Sequence, residues 1–215
     1  MARRTVTTAA AFAATAALLL TACGGSDTSS PDDIEGAGKG SGGSPSASAS
    51  SPAGADRPTT RLPKNFRLTF EDWTSDDPQT RAVLTDAREQ LRAGYAAIIA
   101  NEPDGGEALA FYDTRTGLSQ DRQWIRSYTD KNLTVFGKLP AFDPEVSFTG
   151  NKKAASLTYC TDESKAYSRN RETGEVAGNP AGTDPRIRYT VSLAKNARGV
   201  WQNLSTRSER GACTR

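Results

Sequence analysis

The chain contains no histidine, and it has only three cysteines among its 215 residues. Histidine is the side chain whose ordinary pKa lies nearest neutral pH, so its absence removes the usual general base of enzymes. A pair of cysteines without histidine is also a poor metal site. We therefore expect neither a metal ion nor another cofactor.

A block of positive charge is also missing. The chain has 27 Lys and Arg against 25 Asp and Glu, and loss of Arg3 and Arg4 with a cleaved leader would leave 25 of each sign. Proteins that follow a phosphate backbone carry a basic patch or stripe. The composition therefore does not indicate a nucleic-acid partner.

The amino end has the three parts of a bacterial export signal. Arg3 and Arg4 give a positive start, residues 9–20 form a short apolar run, and small residues precede Cys23. The apolar run is too short to cross about 30 Å of hydrocarbon as a helix. Leu20-Thr21-Ala22-Cys23 resembles a lipobox, the site at which signal peptidase II cuts before a lipid-modified cysteine. We predict a signal peptide over residues 1–22 and a lipid on Cys23; an ordinary signal peptide that contains a cysteine is the alternative.

The lipid would place the protein on the outer face of the bacterial cytoplasmic membrane. A diacylglyceryl group on Cys23 supplies two acyl chains, which suffice for stable attachment without a spanning helix. Residues 23–64 are rich in Gly, Ser and Pro and contain few large apolar side chains. Such a stretch buries too little surface to offset its chain entropy, so we predict a disordered tether. Residues 65–215 suit one domain.

The two cysteines that remain, Cys160 and Cys213, form an even pair in an oxidising compartment. We predict a disulfide between them. Two free thiols and a metal-binding pair are the alternatives.

Hydrophobic periodicity predicts helices first and strands afterwards. An acidic cap and Pro78 begin a long amphipathic helix that ends near Asn101, Glu107–Tyr112 forms a short helix, and Ser119 caps a third. Strands are predicted at 66–70, 133–136, 145–149, 155–160, 165–170, 187–193 and 200–206. This order indicates an α+β domain, with the helices packed on an antiparallel sheet.

The same order of elements resembles the nuclear-transport-factor-2-like fold, in which helices pack on a curved, cone-shaped sheet. Four segments resemble a class of secreted actinobacterial lipoproteins of this kind: Leu157–Asp162, Tyr189–Leu193, Gly199–Trp201 and Arg210–Cys213. The resemblance covers most of Pro78 to Cys213. It implies a cone-shaped α+β domain, and no assigned activity comes with it.

The cone of this fold encloses a pocket, which ketosteroid-isomerase-type enzymes use with a carboxylate base and proton donors. The resemblance implies four candidate pocket residues, Tyr95, Trp124, Asp130 and Tyr159, and Asp162 is a further carboxylate. Each also has a structural interpretation: core packing for the aromatic residues, a helix end or a turn for the acids. We predict no catalytic residue among them.

Three classes of function remain. The preferred interpretation is a binding or interaction module for an unknown protein or small molecule. An accessory component of a cell-envelope or conjugation-type assembly and a small-molecule enzyme are the alternatives. A deep pocket with a buried carboxylate would favour an enzyme, and an exposed apolar sheet face would favour an assembly. A shallow pocket filled by side chains would favour a plain interaction module.

Overall fold

A computed structural model describes residues 56–214 of the chain. The predicted signal peptide over 1–22, the predicted lipid site Cys23 and most of the predicted tether lie outside these residues. The described elements in chain order are β1 (Phe66–Phe70), α1 (Pro78–Ala100), α2 (Gly106–Tyr112), α3 (Arg115–Thr129), β2 (Leu133–Thr149), β3 (Ala154–Asp162), β4 (Lys165–Asn170), β5 (Val176–Ala177), β6 (Arg186–Lys195) and β7 (Trp201–Arg210). None of these helices is long and apolar enough to cross a bilayer.

The strands form one sheet that bends around the helices. Its order is β5-β4-β2-β3-β6-β7 with antiparallel neighbours, and β1 pairs with β2 in parallel. The register shifts between Phe142 and Glu145 in β2 and between Ser192 and Leu193 in β6. Such irregularities bend a strand and increase its twist. The predicted fold class, helices packed on a curved antiparallel sheet, is confirmed.

Strand β2 differs from the prediction because it is one strand of 17 residues, where the sequence predicted two. Gly137, Pro140 and Pro144 lie in the stretch between the two predicted strands. In the structure β2 changes partner along this stretch: β4 pairs with it up to Lys138, β1 from Gly137 to Ala141, and β3 beyond. Glycine and proline are tolerated where a regular ladder is interrupted.

Capping interactions set the ends of the helices. Asp77 caps α1 by accepting a hydrogen bond from the Thr80 N–H at 2.7 Å, and Asn101 ends the helix in the left-handed conformation. The third helix begins at Arg115 and not after Ser119. Thr114 is its cap, because the Thr114 hydroxyl accepts from the Gly117 N–H at 3.1 Å.

Helix α1 divides the core into two clusters. Its first half packs Val83 and Leu84 against Leu157 and Trp201 on the inner face of the sheet. Its second half places Ile98 among side chains of α2, α3, β1 and β2. Both halves of the helix thus contact apolar partners, so that α1 links the sheet to the other two helices.

A disulfide joins Cys160 in β3 to Cys213 beyond β7, the pairing predicted from the sequence. The two Cα atoms are 6.1 Å apart, and Phe142 packs against the bridge. The bridge closes a loop over 53 positions of sequence and fastens the carboxyl end of the chain to the sheet.

The amino-terminal segment before β1 is bound to the domain through residues 57–60, which the sequence assigned to the tether. The Arg57 Nε donates to the Asp86 carboxylate at 2.7 Å, and the Arg57 Nη2 donates to the Gly199 carbonyl at 3.1 Å. The Tyr112 hydroxyl donates to the Pro58 carbonyl at 2.8 Å. The folded part therefore starts earlier than the predicted boundary at residue 65.

Candidate functional site

A pocket of about 190 Å³ lies between α1, α3 and the inner face of the sheet. Five side chains give it its chemical character: the aromatic residues Tyr95, Trp124, Tyr159 and Tyr189, and the carboxyl group of Asp121. Polar side chains also line it: Gln90, Gln120, Thr206 and Ser208. A concave site with apolar walls and a few placed polar groups is typical of small-molecule binding sites.

Two aromatic pairs form the walls of this pocket. The rings of Tyr95 and Trp124 meet edge to face with centroids 5.1 Å apart, and Tyr159 stacks on Tyr189 of the neighbouring strand, also at 5.1 Å. Gly94 permits the first pair, because a Cβ there would lie 2.6 Å from the indole ring of Trp124. Burial raises the pKa of the Tyr95 and Tyr159 phenols well above its ordinary value. Both phenols therefore keep their protons and can donate hydrogen bonds to a ligand.

Asp121 is the buried acid of the pocket, with 6% of its surface exposed. Its Oδ2 accepts hydrogen bonds from the side-chain amides of Gln90 and Asn203, the latter at 3.3 Å. The carboxyl group of Asp113, itself 4% exposed, lies behind it and shares the Gln90 amide at 3.4 Å. None of these partners of Asp121 carries a positive charge.

Burial sets the protonation of the two acids. Loss of water raises the pKa of Asp121 to about 6, and the hydrogen bonds from Asn203, Asp113 and Gln90 limit this rise. Burial raises the pKa of Asp113 further, and the neighbouring Asp121 charge adds to this. At neutral pH Asp113 therefore keeps its proton, whereas Asp121 is mostly ionised.

A seam of hydrogen bonds between α3 and β7 holds Asp121 in place. The Thr114 N–H and hydroxyl both donate to the Asn203 carbonyl, at 2.9 and 3.0 Å. Further along α3, the Thr206 N–H donates to the Gln120 side chain at 2.9 Å. Gly117 lies so close to β7 that a Cβ there would be 2.2 Å from the Asn203 carbonyl oxygen. The helix and the strand thus touch through backbone, which leaves Asp121 little freedom to move.

Three of the four predicted pocket residues, Tyr95, Trp124 and Tyr159, line this pocket. Asp130 does not line the pocket. It is the C-cap residue of α3, directly after Thr129. Asp162 lies at the end of β3, where its carboxylate accepts from the Ser164 N–H at 2.8 Å as part of a turn. Within residues 56–214, no group of three or more Cys, Asp or Glu side chains is placed to hold a metal ion.

The sequence analysis missed Asp121. It lies in the polar run Ser119-Gln120-Asp121-Arg122-Gln123, which indicates a solvent-exposed helix face. The signal that could have found it is helical spacing. Asp121 precedes Trp124 and Ile125 by three and four residues, so it shares the face on which Ile125 is buried and Trp124 is half-buried.

The domain has the cone-shaped α+β fold. Three helices pack on a curled antiparallel sheet, and the pocket opens between them.

No protein-family model matches the sequence, and no curated protein matches it. Solved structures of similar architecture exist. A ketosteroid isomerase-like protein from Erwinia carotovora atroseptica is 15% identical, with a TM-score of 0.43 over 65% of this chain and 100% of the other. A nuclear transport factor 2-like superfamily protein from Salmonella enterica is 15% identical, with a TM-score of 0.41 over 63% and 95%. A protein of the same family from Streptomyces avermitilis is 14% identical, with a TM-score of 0.38 over 60% and 96%.

Proposed function

We propose that this protein is a lipid-anchored, extracytoplasmic binding module that holds a small organic cation in its aromatic pocket. The observation that carries the proposal is the Asp121 carboxylate, buried at a pocket walled by aromatic rings, without a cationic partner among the residues that contact it. The lipidation signal at Cys23 supports the anchor.

The charge of Asp121 favours a cationic ligand. A buried carboxylate is costly unless a positive charge compensates it, because the surroundings cannot replace its water. Gln90 and Asn203 donate hydrogen bonds but supply no net charge. An ammonium group beside Asp121 would provide the missing counter-charge.

The aromatic walls favour the same class of ligand. The face of a Trp or Tyr ring attracts a cation within about 6 Å, and the attraction grows when the site excludes water. Trp124, Tyr159 and Tyr189 present rings around the pocket that Asp121 lines. A compact amine with an apolar body would therefore satisfy both the carboxylate and the rings.

Phenethylamine is a suitable probe, with 2-phenylethanol as its uncharged counterpart. We expect the amine to shift the indole resonance of Trp124 in NMR titrations near pH 7.5 and the alcohol to bind at least about tenfold more weakly. Ionised Asp121 is required, so affinity should fall as the pH drops through about 6. Below that pH a growing share of the protein holds protonated Asp121, so the apparent Kd for the amine should rise as the pH falls.

The matched variants are Asp121→Asn and Asp130→Asn, which remove one carboxylate each from α3 or its end. Asp121→Asn should abolish the preference for the amine and the pH dependence, and Asp130→Asn should keep both. Equal binding of amine and alcohol to the wild-type protein would refute the cation site. So would an unchanged amine affinity in Asp121→Asn, provided that its amide spectrum is that of the folded protein.

A second candidate function is proton transfer on a bound neutral molecule. The observation that favours it is the pKa of Asp121, raised to about 6, beside phenols that remain protonated. Isomerisation of 3-cyclohexenone to the conjugated ketone, followed by absorbance, separates the two functions. Turnover that Asp121→Asn abolishes would identify an enzyme, whereas amine binding without turnover identifies the binding module.

The anchor has its own test. We expect the Cys23→Ala variant to carry no lipid and to keep its leader, because signal peptidase II cuts before a lipid-modified cysteine. Cys160→Ala should be lipidated and cut, because only Cys23 lies in the lipobox. When cells are labelled with a radioactive fatty acid, the wild-type protein should become radioactive and the Cys23→Ala protein should not. A lipid-labelled Cys23→Ala protein would contradict the assignment.

A further inference from the structure

The sheet face that points away from the helices carries a row of three basic side chains. Arg67 of β1 lies in register with Lys138 of β2, and Lys138 lies in register with Lys165 of β4. All three are exposed, and their neighbours Leu68 and Leu139 are buried on the opposite face. None of the ion pairs found in residues 56–214 includes a member of this row.

The arrangement of these charges costs stability. Side chains of like charge directly opposite one another on neighbouring strands repel. The carboxyl groups of Glu71 and Asp162 line the same groove of about 360 Å³. The three cations of the row therefore face two acidic residues, and one of these, Asp162, also lies in register with a further cation, Arg186. The row therefore keeps an excess of positive charge, which an external anion would neutralise.

Aromatic and apolar side chains border the basic row on the same face. Phe136 stacks on Tyr167 with centroids 5.5 Å apart, and the Arg169 guanidinium lies 4.4 Å from the Phe136 ring centre. Val176 lies in register with Arg169 and is 50% exposed, and Tyr167 is 37% exposed. Exposed rings flanked by cations are typical of proteins that rest in a membrane interface.

We propose that this face, formed by Arg67, Lys138, Lys165, Arg169, Tyr167 and Val176, docks on an anionic lipid surface. The basic side chains contact the headgroup phosphates, and Tyr167 and Val176 enter the interface. The inference rests on the geometry of the face, and it holds whether or not the pocket takes a cation or Cys23 carries lipid.

The chemistry of the face distinguishes this occupant from two others. A free phosphate would use the basic row alone and would leave the exposed Tyr167 and Val176 without a partner. A second copy of the chain, paired through the same face, would oppose the four cations to each other, because such an interface repeats one patch on both sides. A lipid surface complements both the charge and the apolar side chains.

Sedimentation with lipid vesicles tests the proposal on the mature chain, residues 23–215 with Cys23→Ala, which lacks both the apolar leader and a lipid of its own. We expect binding to vesicles that contain phosphatidylglycerol and none to vesicles of phosphatidylcholine alone, with weaker binding at high salt. Each basic residue should contribute about fivefold, so Arg67→Gln/Lys138→Gln/Lys165→Gln should weaken binding about a hundredfold. The separate double variant Tyr167→Ser/Val176→Ser should also bind the vesicles more weakly than the parent chain, with an unchanged salt dependence.

A matched control removes the same number of charges elsewhere. Arg115→Gln/Lys152→Gln/Lys153→Gln changes exposed cations at the start of α3 and in the turn between β2 and β3. This control should bind vesicles nearly as well as the parent chain. Equal loss in both triple variants would overturn the proposal, since it would show a response to net charge alone. The proposal would also be overturned if the chain did not bind vesicles, whether or not it bound inorganic phosphate. A dimer that the first triple variant abolishes would overturn it as well.

Discussion

The Arg57→Ala variant is expected to lose about 3–5 kcal/mol of its free energy of unfolding. Asp86 is 1% exposed, and Arg57 is the cation that compensates its charge. Removal of the guanidinium would leave a buried carboxylate that accepts one further hydrogen bond, from the Trp201 backbone N–H at 2.9 Å. One neutral hydrogen bond does not offset the desolvation of a charge.

Urea unfolding of the variant and its controls measures this effect. Arg61→Ala removes an exposed arginine from the same segment and should stay within about 0.5 kcal/mol of the wild type. Arg57→Ala/Asp86→Asn should recover part of the stability, because the unpaired charge is then gone as well. An Arg57→Ala protein as stable as the Arg61→Ala protein would show that residues 57–60 are not part of the folded domain.

The double variant Cys160→Ser/Cys213→Ser is expected to lose about 4 kcal/mol of stability. The bridge spans 53 positions of sequence, and its main effect is to restrict the unfolded chain. In the folded state the two cysteines are 5% and 9% exposed, so the serine hydroxyls would also be poorly solvated.

Reduction provides the control for the disulfide. The wild-type protein in dithiothreitol should unfold at nearly the same urea concentration as the double variant, and the variant itself should not respond to the reductant. A loss that is much smaller than 1 kcal/mol would show that the reduced chain closes this loop by other contacts.

The sequence predicted the parts of the fold that depend on local signals. Asp77 and Pro78 predicted the start of α1, and alternation from Ile187 to Leu193 predicted β6, because caps and periodicity act between near neighbours. The parallel pairing of β1 with β2 was not predicted, since it joins residues about seventy positions apart and leaves no local pattern. The continuous strand β2 was missed for the same reason: its tolerance of Pro140 depends on which strands lie beside it.

The candidate site likewise has residues that the sequence predicted and residues that it did not. Tyr95 belongs to the apolar stripe of α1, and Tyr159 alternates with Leu157, so the sequence directs both inward. The chemistry of Asp121 depends on Gln90, Asp113 and Asn203, which lie on three other elements or connections. The sequence does not distinguish a buried aspartate from an exposed one, because only the folded structure removes water from the carboxyl group.

The attachment of residues 57–60 has a mechanical consequence. A force that pulls the chain away from the domain at its amino end meets Arg57 first, and Arg57 is bound to Asp86 and to the Gly199 carbonyl. The load therefore passes into α1 and the turn before β7, and it reaches β1 only after these bonds break. The Thr60 N–H, which donates to Glu89 at 3.2 Å, and Leu62, which packs against the core, hold the chain again before β1. The edge of the sheet is therefore shielded from a force applied to the amino end.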